Sequence, residues 1–350
     1  MNKKSFALFL ALSITLMSLA LPGGAQTRPS IAAVVVQTPA GAPLNLLPPS
    51  DLVAFVNIKR LIDEAAPKVM ADSPAKLAEF NAAIDKLKMQ TGLDARSFST
   101  IAVGLRYQNP SPGVTTAETV IVASGTFNAG ALVAAGRLVA KGKYQEQKYN
   151  DATIYIFSIN DQVNIPGVMN MRVKELAVAA IGTNSLAIGE LSAVKATLDV
   201  NKGRGGANAD LINLATRTPN ALMGFSANVP MSLSKGVSVG NDEISKLIGS
   251  IRQAYGAVGT TANGFDLTAI ARTENAGQAV SLSETLNALK QFGGVLVPQL
   301  PAETRGLAQS ALDTLKIGAQ SNETSIRFEL QQADIKTLMR VLQPKKAEAR

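Results

Sequence analysis

Two serines stand three residues before a lysine, at Ser73 to Lys76 and at Ser232 to Lys235. This Ser-x-x-Lys spacing is known from penicillin-binding enzymes, in which the lysine helps to activate the serine. Those enzymes also carry Ser-Asp-Asn and Lys-Thr-Gly motifs, and the sequence contains neither. Ser73 precedes Pro74, and proline is favoured at the first helical position, so we interpret Ser73 as a helix cap.

Adjacent carboxylates form a second group that could do chemistry, Asp63 with Glu64 and Asp242 with Glu243. Pairs of carboxylates catalyse glycoside hydrolysis when they flank one bond. Neighbouring residues of a helix do not face each other, and the chain has no Trp to form a sugar platform. We therefore interpret Asp242 and Glu243 as residues that stabilise the start of a helix.

Gly203, Gly205 and Gly206 could be mistaken for a phosphate-binding loop. Such a loop follows a strand and ends in Gly-Lys-Ser or Gly-Lys-Thr. Here the glycines follow a predicted helix and that ending is missing, which favours a hinge.

Histidine, cysteine and tryptophan are all absent from the 350 residues. Without imidazole or thiol, the Ser-His-Asp and Cys-His arrangements and the preferred zinc ligands are excluded. The sequence does not exclude a metal site built from loop oxygens, although no calcium-loop spacing occurs. We predict a non-enzymatic protein with no catalytic, cofactor-binding or metal-binding residues and no cofactor. A hydrolase using Ser-Lys or paired carboxylates is the least favoured alternative.

The first 25 residues have the order of a secretory signal peptide. Lys3 and Lys4 precede an apolar run, and Gly23 and Ala25 occupy the small-residue positions before a cut. We predict cleavage after Ala25 and a periplasmic or extracellular location, with retention as an anchor as the alternative.

The net charge is +8, and removing the two lysines of the signal peptide leaves 8 − 2 = +6. The basic residues are scattered, so we predict no nucleic-acid partner. No later stretch is long enough for a membrane helix. The predicted partner is an unknown protein or envelope component, and the oligomeric state is left open.

Composition divides the chain into segments. Residues 26–48 form a proline-rich linker, although the apolar run 31–36 could instead add an edge strand. Residues 49–203 and 204–343 form two halves, separated by the flexible stretch 202–207, and 344–350 form a disordered tail.

The two halves look duplicated. Pro49, Leu52 and Phe55 recur with the same spacing as Pro219, Leu222 and Phe225. Each copy continues as helix, paired strands, helix, and closes as strand, turn, strand, helix. The first half has an extra hairpin, 143–149 with 152–158. The predicted fold class is α+β: two tandem related halves, with antiparallel sheets and helices packed mainly on one face.

The opening LLPPSDLVAFVNIKRLID resembles the start of a group of bacterial exported proteins of unknown function with a repeated Leu-Pro-x-x-Asp strand-helix unit. Leu47, Pro48, Pro49, Asp51 and Phe55 carry the resemblance. It implies an envelope protein and assigns no residue a role.

These observations favour an exported binding or structural protein of the bacterial envelope or extracellular space. The alternative is a carrier that holds an apolar ligand, such as a lipid, between sheet and helices.

Overall fold

The computed structural model describes residues 42–111, 114–165, 169–230, 242–335 and 337. The predicted signal peptide 1–25, most of the linker, the tail 344–350 and the pair Ser232 and Lys235 lie outside the described residues. The described residues divide into two compact units, the first built from residues between 42 and 62 and between 70 and 208, the second from 63–69 and from residues between 209 and 337. Each unit combines helices with an antiparallel sheet, which confirms an α+β fold.

The first unit contains seven strands and three main helices. The strands are β1 (Leu52–Asn57), β2 (Phe98–Ser111), β3 (Val114–Gly125), β4 (Tyr144–Tyr149), β5 (Ala152–Ile165), β6 (Met169–Ile181) and β7 (Ser185–Gly189). The helices are α1 (Pro74–Thr91), α2 (Ala129–Ala140) and α3 (Leu191–Asn201). All pairings are antiparallel, in the order β1-β2-β3-β7-β6-β5-β4.

Local sequence signals set the ends of these elements as predicted. Helix α1 starts at Pro74 and ends at Gly92, which has the left-handed φ of 75° that glycine adopts at low cost. Asn128 caps α2, because its side chain accepts a hydrogen bond from the backbone N–H of Ala131. Asn150 has a φ of 50° in the predicted turn between β4 and β5.

Both faces of the first-unit sheet are buried. On one face, Ile84 of α1 packs with Ile101 and Ala123, and α2 packs against Leu186 on the same side. The opposite face is covered by α3 and includes a fully buried row, one residue from each of three neighbouring strands: Ala102, Val122 and Ala187. The prediction that helices pack mainly on one face of the sheet therefore does not hold for this unit.

Residues 42–48 belong to the body of the first unit and not to a linker. Leu44 and Leu47 are completely buried, and the Leu47 carbonyl accepts a hydrogen bond of 2.9 Å from the Ala207 N–H. The predicted linker 26–48 therefore extends too far towards the C-terminus. Its residues 42–48 belong to the first unit, because Leu44 and Leu47 contribute apolar area to the core.

The second unit contains five strands and four main helices. They are α4 (Ala209–Ala215), β8 (Met223–Asn228), α5 (Asp242–Gly249), β9 (Ile251–Thr260), β10 (Gly264–Thr273), α6 (Ala276–Leu296), α7 (Ala302–Thr314), β11 (Lys316–Gln320) and β12 (Glu323–Gln331). Residues 332–335 are also helical. The antiparallel order is β8-β9-β10-β12-β11.

Helices also lie on both faces of this second sheet. On one face, the Ser226 hydroxyl donates a buried hydrogen bond to the Leu211 carbonyl of α4. On the other, Thr324 donates to the Ala279 carbonyl of α6 over 2.8 Å. A turn after Asn263 joins β9 to β10, and a turn at Asn322 joins β11 to β12.

Candidate functional site

The first Ser-x-x-Lys pair lies at the start of α1. The Ser73 carbonyl accepts a hydrogen bond of 2.8 Å from the Lys76 N–H, and the Ser73 side chain makes no capping bond. Ser73 therefore starts the helix through its backbone, and not through its hydroxyl as we expected. The second pair, Ser232 with Lys235, is outside the described residues.

The two pairs of acidic residues noted in the sequence lie on two separate helical elements. Asp63 and Glu64 are exposed in the helical turn Leu61–Ala65. Asp242 and Glu243 are the first two residues of α5, the position predicted for them. In the described part of the chain, no three acidic side chains gather in a way that could hold a metal ion.

The glycine-rich stretch is a turn tied to the end of α3. Gly203, Gly205 and Gly206 all have positive φ values, of 80°, 71° and 147°. The Arg204 N–H donates to the Asp199 carbonyl, and its guanidinium forms an ion pair with the Asp199 carboxylate. These bonds fix the turn that follows α3.

A carboxylate pair that the sequence analysis did not single out lies at Glu118 and Glu190. Burial first, and the nearby charge of Glu118 second, raise the pKa of Glu190. Glu118 accepts hydrogen bonds from Ser192 and Gln108. The two glutamates are 72 residues apart, so only the pairing of β3 with β7 brings them together, and no local motif could have revealed them.

The first unit has an open pocket of about 380 Å³ at one end of its sheet. It lies where the turns after β4 and β6 meet helix α2 and the last turn of α3. The pocket is lined by apolar side chains, including Val133, Ala134, Ile181 and Leu198, and by polar ones, including Arg137, Asn150, Asp151, Asn201 and Lys202.

Two cations stand on the pocket wall. The Arg137 guanidinium lies 5.0 Å from the ring centroid of Tyr155 and 5.4 Å from that of Tyr144, and it forms an ion pair of 3.0 Å with Glu146. Its hydrogen bond to the Tyr144 hydroxyl raises the pKa of Arg137. Lys202 donates to Asp151 over 2.7 Å, and this bond lowers the pKa of the Asp151 carboxyl.

The second unit contains a row of polar side chains that crosses four strands. The strand pairing places Glu323, Arg272, Gln253 and Asn228 side by side. Arg272 donates to Glu323 over 2.7 Å and to Gln253 over 2.8 Å, and Gln253 donates to Asn228 over 3.0 Å.

Tyr255 lies next to this row and is only 2% exposed. Burial, with a further contribution from Glu323, raises the pKa of Tyr255 to about 12. The Arg272 hydrogen bond and the Arg217 charge outweigh burial and lower the pKa of Glu323. These groups satisfy one another, so we interpret the cluster as a structural element of the core.

Helix α6 begins in the core and ends in solvent. Leu282 is buried, but Leu289 is 48% exposed, Phe292 61% and Val295 66%. Leu296 and, just after the helix, Leu300 are also exposed. The spacing of three and four residues places Leu289, Phe292, Val295 and Leu296 on one side of the helix. We call Leu289, Phe292, Val295, Leu296 and Leu300 the apolar face. The sequence spacing places Leu289 and Phe292 on the same side of the helix as the buried Leu282, but it does not show that this side is exposed towards the end of α6.

The apolar face is nearly free of charge. Between Thr285 and Pro301 the only charged residue is Lys290, whose ammonium group donates to the Leu315 carbonyl. Gly293, four residues after Leu289, lies against Leu312 of α7, so α7 packs along one edge of the apolar face. Within the described ranges, no helix combines the length and the apolar character needed to cross a membrane.

No family model matches the chain, and no curated protein matches it. Among solved structures, the chain is similar to crystal form III of TP0453, with a TM-score of 0.43, 10% identity and coverage of 85% of this chain and 98% of that one. Crystal form I of TP0453 gives 0.42, 9%, 86% and 98%, and crystal form IV gives 0.41, 9%, 86% and 96%. Similarity at this level transfers no residue role to this chain.

Proposed function

We propose that the chain is an exported, non-enzymatic protein of the bacterial envelope that binds an anionic lipid surface through the apolar face. The single observation that carries this proposal is the exposure of five large apolar side chains on one side of α6 and just after it. A contiguous patch of this kind on a folded protein is typical of a binding surface.

The charge around the apolar face favours lipid as its occupant. Lys290 is the one charged residue from 285 to 301, so insertion beside headgroups requires no carboxylate to lose water there. The mature chain, without the two lysines of the predicted signal peptide, carries a net charge of +6, which attracts it to anionic headgroups. A helix that lies flat in the interface buries its apolar side in just this way.

The size of the apolar face argues against a stable dimer as its only role. The exposed fractions of the five side chains amount to roughly 450 Å² of apolar surface, within the range of the largest patch on a typical monomer. A standard protein interface buries about 800 Å² on each partner. A lipid surface needs no complementary shape and accepts a smaller patch.

Co-sedimentation with vesicles tests the proposal. The mature chain, residues 26–350, is mixed with phosphatidylglycerol-phosphatidylethanolamine vesicles and with neutral phosphatidylcholine vesicles. We expect binding to the anionic vesicles that weakens as salt rises. The double variant Phe292→Ser with Val295→Ser should weaken binding at least tenfold, because it removes the two most exposed side chains of the face.

The matched control is Met89→Ser with Leu138→Ser, since both residues are 81% exposed in the first unit and neither belongs to the apolar face. This control should bind vesicles like the wild type. Equal binding by both double variants, or no binding to anionic vesicles, would overturn the proposal. A dimer abolished by Phe292→Ser with Val295→Ser, together with no vesicle binding, would identify the face as a self-association surface instead.

The non-enzymatic part of the proposal is supported by the absence of His and Cys and by the hydrogen bonds that occupy the polar cluster around Tyr255. A broad hydrolase panel on the pure mature chain tests it. Turnover abolished by Lys235→Ala would establish Ser-Lys chemistry and reject this part. Mass spectrometry of the secreted protein tests export, and a mature N-terminus at Gln26 is the expected result.

We also propose that the two units descend from one duplicated unit, which the resemblance to exported proteins with a repeated strand-helix unit favours. The support is the strand order. The first unit runs β1-β2-β3-β7-β6 before the extra hairpin, and the second runs β8-β9-β10-β12-β11. In both, a helix follows the third strand, and a late hairpin pairs with that strand in reverse order. A profile built from homologous sequences that fails to align the units would oppose it.

A second candidate function is the carriage of an apolar ligand. The pocket of the first unit supports it, because Val133, Ile181 and Leu198 form part of its wall. Native mass spectrometry after gentle extraction tests this candidate. A reproducible bound lipid supports it, and an empty protein rejects it.

A further inference from the structure

We infer that the pocket of the first unit binds a small organic anion with an apolar body, such as a medium-chain carboxylate. This site is separate from the apolar face, which belongs to the second unit, and the inference does not depend on the proposed lipid binding.

The pocket has the size and wall of a small-molecule site. Its volume of about 380 Å³ falls in the usual range for such sites. Val133 and Ala134 of α2, Ile181 at the end of β6 and Leu198 of α3 supply apolar carbon to the wall. An aliphatic chain of several carbons can bury its surface against these groups.

The hydrogen-bond donors of the wall favour an anion. Arg137 and Lys202 line the pocket, and Asp151 is the only carboxylate among the lining residues. Lys202 pairs with Asp151 and Arg137 pairs with Glu146 behind the wall, so the preference for an anion comes from the N–H donors that Arg137 still offers and not from an unpaired charge. A neutral chain would forgo the charge-assisted bond to these donors.

Arg137 is held in place and still has donors to offer. Its position over the rings of Tyr144 and Tyr155 and its ion pair with Glu146 fix the guanidinium plane. Among the described residues, its Nε donates a hydrogen bond to the Tyr144 hydroxyl and its Nη2 forms the ion pair with Glu146. A guanidinium carries five N–H donors, so three remain for a carboxylate. A preorganised arginine loses little entropy when it binds such a group.

Isothermal titration of the mature chain with octanoate tests the inference, and octyltrimethylammonium of equal chain length serves as the opposite-charge probe. We expect one octanoate per chain and no detectable binding of octyltrimethylammonium. Arg137→Gln should weaken octanoate at least tenfold, because it removes the charge and part of the fork of donors. Ala134→Phe, which fills the pocket, should also weaken it.

Arg106→Gln is the matched control, since Arg106 is an exposed arginine of β2 that does not line the pocket, and it should bind octanoate normally. Circular dichroism checks that each variant is folded, and Ala134→Phe alone decides if Arg137→Gln does not fold. Equal binding of the two probes, no octanoate binding, or normal binding by both Arg137→Gln and Ala134→Phe would overturn the inference.

The double variant Phe292→Ser with Val295→Ser separates this site from the apolar face. It should bind octanoate like the wild type even if it no longer binds vesicles. Loss of octanoate binding in that variant would locate the probe at the apolar face and would also overturn the inference. Failure of the vesicle experiment alone leaves the octanoate result unchanged.

Discussion

The guanidinium of Arg217 lies over the ring of Tyr255, with its central carbon 5.4 Å from the ring centroid. Arg272 approaches the same ring to 5.7 Å, and Glu323 forms ion pairs with both arginines. An almost completely buried phenol thus sits among three charged groups, and its ionisation is coupled to the stability of the second unit.

Tyr255 should make the fold sensitive to strong alkali. Its pKa is raised from 10.0 to about 12 in the folded chain, chiefly by burial. A raised pKa means that the stabilisation is complete below pH 10 and is lost as the pH rises through 12. From pH 9 to pH 12, the free energy of unfolding should fall by about 2 kcal/mol more in the wild type than in Tyr255→Phe.

Urea unfolding at each pH measures this difference. Subtracting the variant cancels the other tyrosines and the lysines, which titrate in both proteins. Parallel pH profiles for the two proteins would show that Tyr255 ionises as easily in the folded chain as in the unfolded one.

Asp199 should make the first unit sensitive to acid. Hydrogen bonds from Asn150, Arg204 and Tyr149, in that order, lower the pKa of its carboxyl. A lowered pKa means that the stabilisation is present above the unfolded value of 3.8 and is lost as the pH falls through the folded value. Between pH 5 and pH 2, roughly the window in which carboxylates protonate, the wild type should lose more stability than Asp199→Asn.

The control is Glu79→Gln, which replaces an exposed carboxylate of α1 and should lose stability like the wild type. Identical acid profiles for the wild type and Asp199→Asn would contradict the prediction.

Gly256 should tolerate no side chain. A Cβ atom at this position of β9 would lie 2.2 Å from the Thr268 carbonyl oxygen of the neighbouring strand. We expect Gly256→Ala to lower the free energy of unfolding by about 2 kcal/mol or more, because the backbone must shift. Gly306→Ala in α7 is the control, since a Cβ there meets nothing within 4 Å, and it should stabilise the chain by about 0.5–1 kcal/mol. Thermal unfolding of both variants measures these effects. No loss of stability in Gly256→Ala would contradict the close approach of Gly256 to the Thr268 carbonyl oxygen.

Leu47 should be essential to the first unit although it precedes the first strand. Because it is completely buried, Leu47→Ala should lower the free energy of unfolding by about 2–5 kcal/mol. Leu138→Ala, at an exposed leucine of α2, should change it by less than about 0.5 kcal/mol. Denaturant unfolding measures both. A small effect of Leu47→Ala would support the original assignment of residues 42–48 to the linker.

The sequence was most informative where a single residue type decides the local backbone. Pro74 begins α1 as predicted, Gly92 ends it, and Asn150 lies in the turn of the predicted hairpin. These positions depend on φ preferences and capping bonds that are local in the chain. An α+β fold followed from the same signals.

The duplicated motif predicted the two strands but not their exact register. Its copies are 170 residues apart, from Pro49 to Pro219, whereas β1 and β8 start 171 residues apart, at Leu52 and Met223. A slip of one residue turns a side chain to the other face of a strand. Phe55 is accordingly buried and Phe225 only half-buried.

The candidate sites could not be predicted from periodicity. The stripe Leu282, Leu286, Leu289 and Phe292 predicts an apolar helix face, but only the fold decides how far the sheet reaches beneath it. The pocket likewise unites residues from α2, α3 and two turns. Arg137 and Lys202 are 65 residues apart, and no local sequence motif around either residue indicates that they line the same pocket.

The short segment 63–69 has a consequence for how this gene can change. It lies within the sequence of the first unit but belongs to the second, where Ala65 and Val69 pack with Leu222, Phe265 and Ile335. A gene fragment starting at residue 209 would encode a second unit with that part of its interior missing. Trimming the gene at that junction therefore removes part of the second unit's core together with the first unit.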